Sequence, residues 1–165
     1  MDYIGKSPVP LPILILGKLA LFASALFFVI KLHYTDSVLY DSPFTQALGI
    51  FLYALGFAVM IVAIIQLGQS VAVGIPERST DLRTHGLYGF SRNPIYLGAF
   101  IMCAGSCLFS IHWINIVLFA LALMIHVRIV IREEAFLEQR FGPKWIEYRN
   151  RVPRYLGRRK TEGRC

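Results

Sequence analysis

Two stretches of the sequence place polar residues directly at the edge of an apolar segment. The first is SRNPIY, residues 91–96, where Arg92, Asn93 and Pro94 precede an apolar run. The residue before a proline is disfavoured in the α conformation, Asn is a favoured N-cap, and proline suits the first helical position. The pattern therefore predicts a helix beginning at Pro94, whose exposed N–H groups and dipole favour an anion.

Two further residues add to the chemistry of this boundary. Arg92 contributes a full positive charge, and Tyr96 presents a hydroxyl from the first helical turn. Just before them, THGLYGF has two glycines flanking Tyr88, which allows the loop to fold back tightly. Together these residues predict a binding site for a carboxylate or phosphate. Interfacial Arg and Tyr are also ordinary membrane anchors, so a purely structural boundary is the alternative.

The second stretch is REEAFL, residues 132–137, which follows the apolar segment MIHVRIVI. Glu133 and Glu134 are adjacent carboxylates, and Arg128 lies inside the apolar segment. An ionisable residue at membrane depth is costly and usually faces a polar cavity or a partner, although Arg128 could also snorkel to the interface. If the two stretches meet in space, their donors and carboxylates suit a zwitterionic cofactor with an amino-acid end and a ribose.

The composition predicts that these stretches lie at a membrane boundary. The chain is 56% hydrophobic and 16% charged, against about 45–50% and about 25% in soluble domains. Val9–Ile30, broken only by Lys18, and Ala47–Leu67 are each long enough to cross a hydrocarbon core of about 30 Å. Pro94–Phe109 and Trp113–Ile131 are separated only by SIHW, so we expect a tight helical hairpin. The predicted fold class is all-α: a polytopic integral membrane protein with about four transmembrane helices.

Cap residues mark several helix ends. Ser42 followed by Pro43 predicts the N-cap and first residue of the second span. In FGPKW, Gly142 occupies a C-cap position and Pro143 stands where the helix cannot continue. We therefore expect Arg132–Phe141 to be a cytoplasmic helical extension of the fourth span.

The distribution of Lys and Arg predicts the orientation in the membrane. The loop over residues 31–43 holds one of these cations and the loop over 68–93 holds three, whereas the tail after Val127 holds eleven of the seventeen. By the positive-inside rule, both termini, the central loop and the active site are expected to be cytoplasmic. The net charge of +7 is then expected to serve topology and attraction to membrane lipids, and no nucleic-acid partner is predicted.

The domain organisation follows from the same pattern. We expect a single membrane domain over residues 1–165, with two spans in 1–68 and the cofactor loop, hairpin and C-terminal catalytic region in 69–165. The three cysteines, Cys103, Cys107 and Cys165, have no spacing that indicates a metal site or a disulfide framework. The oligomeric state cannot be predicted from this sequence.

Over residues 69–154 the chain resembles the isoprenylcysteine carboxyl methyltransferase family and its wider membrane relatives, which include the phospholipid methyltransferases. The resemblance is carried by TDLRTHGLYGFSRNPIYLG, REEAFL and FGPKWIEYRNRVPR. It implies S-adenosyl-L-methionine as the methyl donor and a lipophilic or membrane-borne acceptor. The prenylcysteine enzymes have histidine where Asn93 stands, and the Asn-Pro form is more similar to the phospholipid methyltransferases. The identity of the acceptor therefore stays open between a carboxylate, an amine and a thiol.

The resemblance also implies roles for individual residues. Arg128 lies close to where the family keeps an arginine for the acceptor's carboxylate, and Glu134 is the candidate base for a protonated amine acceptor. A carboxylate acceptor needs no base, because its unperturbed pKa is about 4. The cofactor-binding residues implied by position, together with Arg92 from the boundary chemistry, are Thr80, Asp81, Leu82, Arg83, Tyr88, Arg92, Asn93, Pro94, Ile95, Tyr96 and Glu133. An NADPH-dependent sterol-type reductase and a non-catalytic membrane protein are the competing hypotheses.

Overall fold

The computed structural model describes residues 10–33, 39–68 and 82–157, and its regular structure there is helical. A short 3-10 turn at Gly86–Gly89 precedes the third helix, and these ranges contain no β-strand, only a bridge between Tyr40 and Ile111. The five α-helices are α1 (Leu11–His33), α2 (Pro43–Leu67), α3 (Pro94–Phe109), α4 (Trp113–Phe141) and α5 (Pro143–Arg151). Of these, α1, α2 and α4 are long and apolar enough to cross a membrane, which confirms the prediction of a helical membrane protein.

The helix ends follow the predicted cap chemistry closely. Helix α2 begins at Pro43, and the Ser42 hydroxyl accepts a hydrogen bond from the Thr45 N–H at 3.2 Å. Helix α4 runs without a break through the predicted extension to Phe141, and its C-cap is Gly142, whose φ of +52° suits glycine. Pro143 ends α4 as expected, but it is also the first residue of α5, a helix that the sequence reading did not include.

Helices α2 and α3 pack with their backbones in close contact because glycines line the seam between them. A Cβ built on Gly49 would lie 2.6 Å from Phe109 N, and one built on Gly98 would lie 2.6 Å from Met60 N. Gly56 and Gly105 face the partner backbone equally closely. Small residues at such seams allow dispersion contacts between helices that have no hydrophobic driving force in lipid. This packing fixes the angle at which α3 presents its first turn.

A buried cluster of side-chain hydrogen bonds joins α1, α3 and α4. The Ser24 hydroxyl donates to Asn115 Oδ1 at 2.7 Å, and Asn115 Nδ2 donates to the hydroxyls of Ser106 at 3.2 Å and Ser110 at 3.0 Å. The Ser106 hydroxyl in turn donates to the Ser24 carbonyl at 2.6 Å. Each of these four residues is at most 2% exposed. The cluster therefore holds the three helices in register.

One lysine joins the connector between α1 and α2 to the turn between α3 and α4. Lys31 Nζ donates to the Phe109 carbonyl at 2.6 Å and to Asp41 Oδ1 at 2.8 Å. This hydrogen bond from Lys31 holds the pKa of Asp41 below its ordinary value. The bridge between Tyr40 and Ile111 lies beside it. The α1–α2 connector and the α3–α4 turn are thus neighbours.

At the opposite end, the loop before α3 is joined to the chain after α4. The Tyr148 hydroxyl of α5 donates to the Tyr88 carbonyl at 2.7 Å, and the Arg92 N–H donates to the Pro153 carbonyl at 3.0 Å. Trp145 and Tyr148 are each only 2% exposed and form the core of this region with Val152. The two boundary stretches therefore lie together at this end of the bundle.

Candidate active site

Asn93 occupies the N-cap position of α3, but its side chain does not cap the helix. Instead, Nδ2 donates to Glu134 Oε1 at 3.1 Å and to the Arg154 carbonyl at 3.2 Å. This corrects the expectation of a side-chain cap. The amide points across to α4 and to the tail, here the residues 152–157 after α5, because a buried carboxylate on α4 accepts its N–H.

Glu134 is that carboxylate, and it is only 6% exposed. Arg92 Nη2 lies 3.3 Å from Oε1, while Arg154 Nε and Nη2 lie 3.1 and 2.8 Å from Oε2. The hydrogen bond from Arg154 to this carboxylate raises the pKa of the guanidinium. Glu134 thus joins the loop before α3, helix α4 and the residues after α5, and both of its carboxylate oxygens have a guanidinium partner.

Glu133 lies one position earlier and takes part in a separate set of contacts. The Tyr96 hydroxyl donates to Glu133 Oε1 at 3.1 Å. The Tyr96 ring lies 5.5 Å from the His126 ring, and Phe100 lies 5.8 Å from the Tyr155 ring. Consecutive helical residues differ by about 100° in direction, so the paired glutamates serve two different neighbourhoods.

Arg128 is not brought to either neighbourhood. It is exposed, whereas His126, Ile129, Val130 and Glu134 on the same helix are buried. Arg128 and Glu133 are five residues apart, which separates them by roughly 140° around α4. The structure thus places Arg128, the candidate cation for an acceptor carboxylate, on a different face of α4 from Glu133, and its role stays a prediction.

A cavity of about 210 Å³ lies between the loop, α4 and α5. Trp145 lines it, and its indole N–H is buried with no hydrogen-bond partner among the described residues. Burial raises the pKa of Tyr88 to about 12 and also raises that of Tyr148, so both phenols stay protonated at neutral pH. The lining residues are Leu67, Leu82, Arg83, Tyr88, Arg92, Leu137, Arg140, Phe141, Trp145 and Tyr148.

The predicted cofactor residues are therefore divided between the cavity and the contacts of the paired glutamates. Leu82, Arg83, Tyr88 and Arg92 line the cavity. The other described members lie in the first turn of α3 and on α4: Asn93, Pro94, Ile95, Tyr96 and Glu133. Thr80 and Asp81 lie outside the described residues.

Several residues of the site were missed in the sequence reading. Trp145, Tyr148 and Arg154 belong to FGPKWIEYRNRVPR, a stretch that carried the family resemblance without any role being assigned to these side chains. Their signal was a Trp and Tyr three positions apart, which share one face of a short helix. The sequence also shows His126 near the end of the fourth span, but an isolated histidine in an apolar span is more often a packed residue than part of a site.

Comparison with known proteins places this geometry in a family. The family model described as phospholipid methyltransferase matches residues 44–144, more than half of the chain. The chain belongs to the phospholipid methyltransferase family. Both hydrogen bonds that connect α3 to the paired glutamates lie within the region that defines this family, whereas most of α5 and the tail lie beyond it.

Relatives of this family member confirm the resemblance seen in the motifs. It is 34% identical over 113 residues to the protein-S-isoprenylcysteine O-methyltransferase of Schizosaccharomyces pombe, covering 66% of the chain and 47% of that protein. It is 29% identical over 156 residues to protein-S-isoprenylcysteine O-methyltransferase B of Arabidopsis thaliana, covering 90% and 79%. The chain thus spans about half the length of the yeast relative and more of the plant one. The family match and the three long apolar helices together establish that the chain is a helical integral membrane protein.

Proposed function

We propose that the protein is an S-adenosyl-L-methionine-dependent methyltransferase acting on a lipophilic acceptor. The observation that carries this proposal is the meeting of the two boundary stretches inside the family region, with Tyr96 bound to Glu133 and Asn93 bound to Glu134. The names of the yeast and plant relatives support the reaction type. A reductase is disfavoured, because the sequence has no Gly-rich dinucleotide fingerprint.

The cavity fits one part of the cofactor. Its volume of about 210 Å³ is below the range of about 300–1,000 Å³ typical of pockets that enclose a whole small ligand. Its guanidinium groups suit a carboxylate, its aromatic walls suit an apolar or planar group, and the Trp145 indole N–H offers a donor. We assign the cavity to one end of the cofactor, either the amino-acid end or the nucleoside end. The residues around Glu133 would then bind the other end.

When bound, S-adenosyl-L-methionine would supply an electrophilic methyl group to the acceptor atom, with its sulfonium becoming a neutral thioether as the leaving group. Glu133 would accept hydrogen bonds from ribose hydroxyls or an ammonium, with Tyr96 fixing its orientation. The chain's main contribution would be to hold the reacting groups in line, which can lower a barrier by about 7–11 kcal/mol. The buried surroundings would exclude water.

The proposed acceptor carries a carboxylate, as an isoprenylcysteine does. The names of the relatives support this choice, and a carboxylate is already ionised at neutral pH, so the carboxylates of the site need not remove a proton. The phospholipid amine is a second candidate, favoured by the family model itself. Methylation of that amine would require a base, and Glu134 is engaged by two arginines.

We also propose four membrane crossings with both termini and the site cytoplasmic. Helix α3 has 16 residues and is about 24 Å long at 1.5 Å per residue. The connectors around Tyr40 and Ile111 meet at one end of the bundle, and the Tyr88 loop meets α5 at the other. This arrangement supports alternating crossings, and the excess of Lys and Arg after Val127 supports the cytoplasmic side for the site.

Ligand binding to the full-length protein in detergent tests the proposal. We expect calorimetry to show binding of S-adenosylhomocysteine and none of NADPH. Glu133→Gln should weaken S-adenosylhomocysteine binding by roughly tenfold or more, because hydrogen bonds to a charged partner contribute about 1.5–3 kcal/mol. The matched control is Glu147→Gln on exposed α5 surface, which should bind like wild type. Binding of NADPH alone would instead support the reductase.

A further inference from the structure

One cation in a membrane span has no role in the proposed site. Lys18 lies seven residues into α1, about 10 Å along the helix axis. It is exposed and forms no ion pair or hydrogen bond with any residue in the described part of the chain. A cation at this depth is expensive unless it meets a polar group or an anionic partner.

The backbone next to Lys18 is in contact with α4. A Cβ on Gly17 would lie 2.8 Å from Ile125 Cγ2 and 3.0 Å from His126 Cε1. Lys18 therefore follows directly on the contact of α1 with His126, whose ring lies 5.5 Å from that of Tyr96, and Tyr96 in turn donates to Glu133. His126 Nδ1 is 2.8 Å from the Ala122 carbonyl, so it carries the proton and leaves Nε2 as an acceptor.

These side chains belong to a polar cluster that we define as Lys18, Tyr96, His126, Glu133 and Tyr155, together with the Phe100 ring that contacts two of them. Its members come from α1, α3, α4 and the tail. The Tyr155 hydroxyl is buried and has no hydrogen-bond partner among the residues that the structure describes. The Tyr155 ring lies 5.8 Å from that of Phe100, which lies 6.2 Å from that of His126. Among the described residues, the polar cluster thus contains one cation with no hydrogen bond or close ion pair and one hydroxyl with no hydrogen-bond partner, beside the proposed methyl-transfer site.

We infer that Lys18 and the Tyr155 hydroxyl hold the carboxylate of the lipophilic acceptor. The inference rests on the proposed function and names the acceptor side of that same site. An ammonium and a phenolic hydroxyl are both donors, and a carboxylate accepts from both. Lys18 then supplies the cation that Arg128, on the other side of α4, is not positioned to supply. An acid held this way lies within reach of Glu133, where the cofactor contacts are proposed.

Equilibrium binding of N-acetyl-S-farnesylcysteine and of its methyl ester to the full-length protein tests the inference. The two probes share the lipid chain and differ in the negative charge. We expect Lys18→Met to weaken binding of the acid by about tenfold or more, the typical effect of losing a charge-assisted hydrogen bond, and to leave binding of the ester unchanged. Lys18→Arg should retain most of the affinity for the acid. Tyr155→Phe should weaken acid binding by roughly threefold.

The controls separate this inference from the proposed function. Leu19→Met changes a neighbouring exposed side chain of α1 and should bind both probes like wild type. Lys18→Met should weaken binding of S-adenosylhomocysteine far less than Glu133→Gln does. If Lys18→Met leaves acid binding unchanged, or weakens acid and ester alike, the inference is wrong whatever the cofactor data show. Failure of wild type to bind S-adenosylhomocysteine would count against the proposed function alone.

Discussion

At the scale of residues, the adjacent glutamates have different partners because of their positions on one helix. Glu134 faces inward, where Arg92, Asn93 and Arg154 surround it. Glu133 faces Tyr96. A change at Glu134 therefore acts on the packing of the loop before α3 and of the residues after α5, whereas a change at Glu133 acts on the proposed cofactor contacts.

We expect Glu134→Gln to destabilise the protein by about 3–5 kcal/mol, because it leaves buried Arg92 without its carboxylate. Arg154→Met should lower the free energy of unfolding by less, because the Arg154 side chain is 40% exposed. Thermal unfolding in detergent would measure both changes. The surface pair of Glu147 and Arg151 provides the control, and Arg151→Met should cost less than about 1 kcal/mol. Equal stability of Glu134→Gln and wild type would contradict the role given to this carboxylate.

At the scale of elements, the angle of α3 depends on the glycines that let it approach α2. Gly49 and Gly56 on one helix meet Gly105 and Gly98 on the other, each seven residues apart. Two helical turns separate such positions, so both contacts fall on one face. The first turn of α3, which carries the site, is held by this seam.

Gly49→Ala should destabilise the protein by about 1–3 kcal/mol, because the new methyl group meets the Phe109 backbone at 2.6 Å. The sign of this change in unfolding free energy is informative. Ala in place of Gly favours an isolated helix by about 1 kcal/mol, so helix propensity alone predicts a more stable protein. Ala54→Val adds bulk to an exposed position of α2 and serves as the matched control. Thermal unfolding that shows Gly49→Ala to be as stable as wild type would mean that the seam is looser than described.

At the scale of the whole molecule, each end of the bundle has its own chemistry. Lys31 and Asp41 join the connectors at one end, while the arginines and glutamates of the site gather at the other. A charged site at one interface keeps costly groups out of the hydrocarbon core.

The proposed topology predicts that the two ends label from opposite sides of the membrane. In a background with the native cysteines replaced, Tyr40→Cys should react with an impermeant maleimide only in right-side-out vesicles. Glu147→Cys should react only in inside-out vesicles. Both positions are exposed, at 58% and 71%. Labelling of both from the same side would contradict four crossings.

The sequence by itself determined the features that depend on local physics. Apolar runs of sufficient length specified the helices, and Ser42-Pro43, Asn93-Pro94 and Gly142 specified where they begin and end, because cap preferences act within a few residues. The motifs on both sides of the hairpin also identified the family. None of these features required knowing how one helix is rotated against another.

Only the tertiary structure decided which side chains meet. Helix rotation directs Arg128 away from the paired glutamates, and long-range contacts bring Arg154 and Trp145 to the site. The same contacts turn the Asn93 amide from its own helix to Glu134. The contacts of Arg154 and Asn93 depend on partners 20 or more positions away, which the local pattern does not encode. The angle between Arg128 and Glu133 follows from their spacing on a helix, but which face of α4 meets the other helices does not.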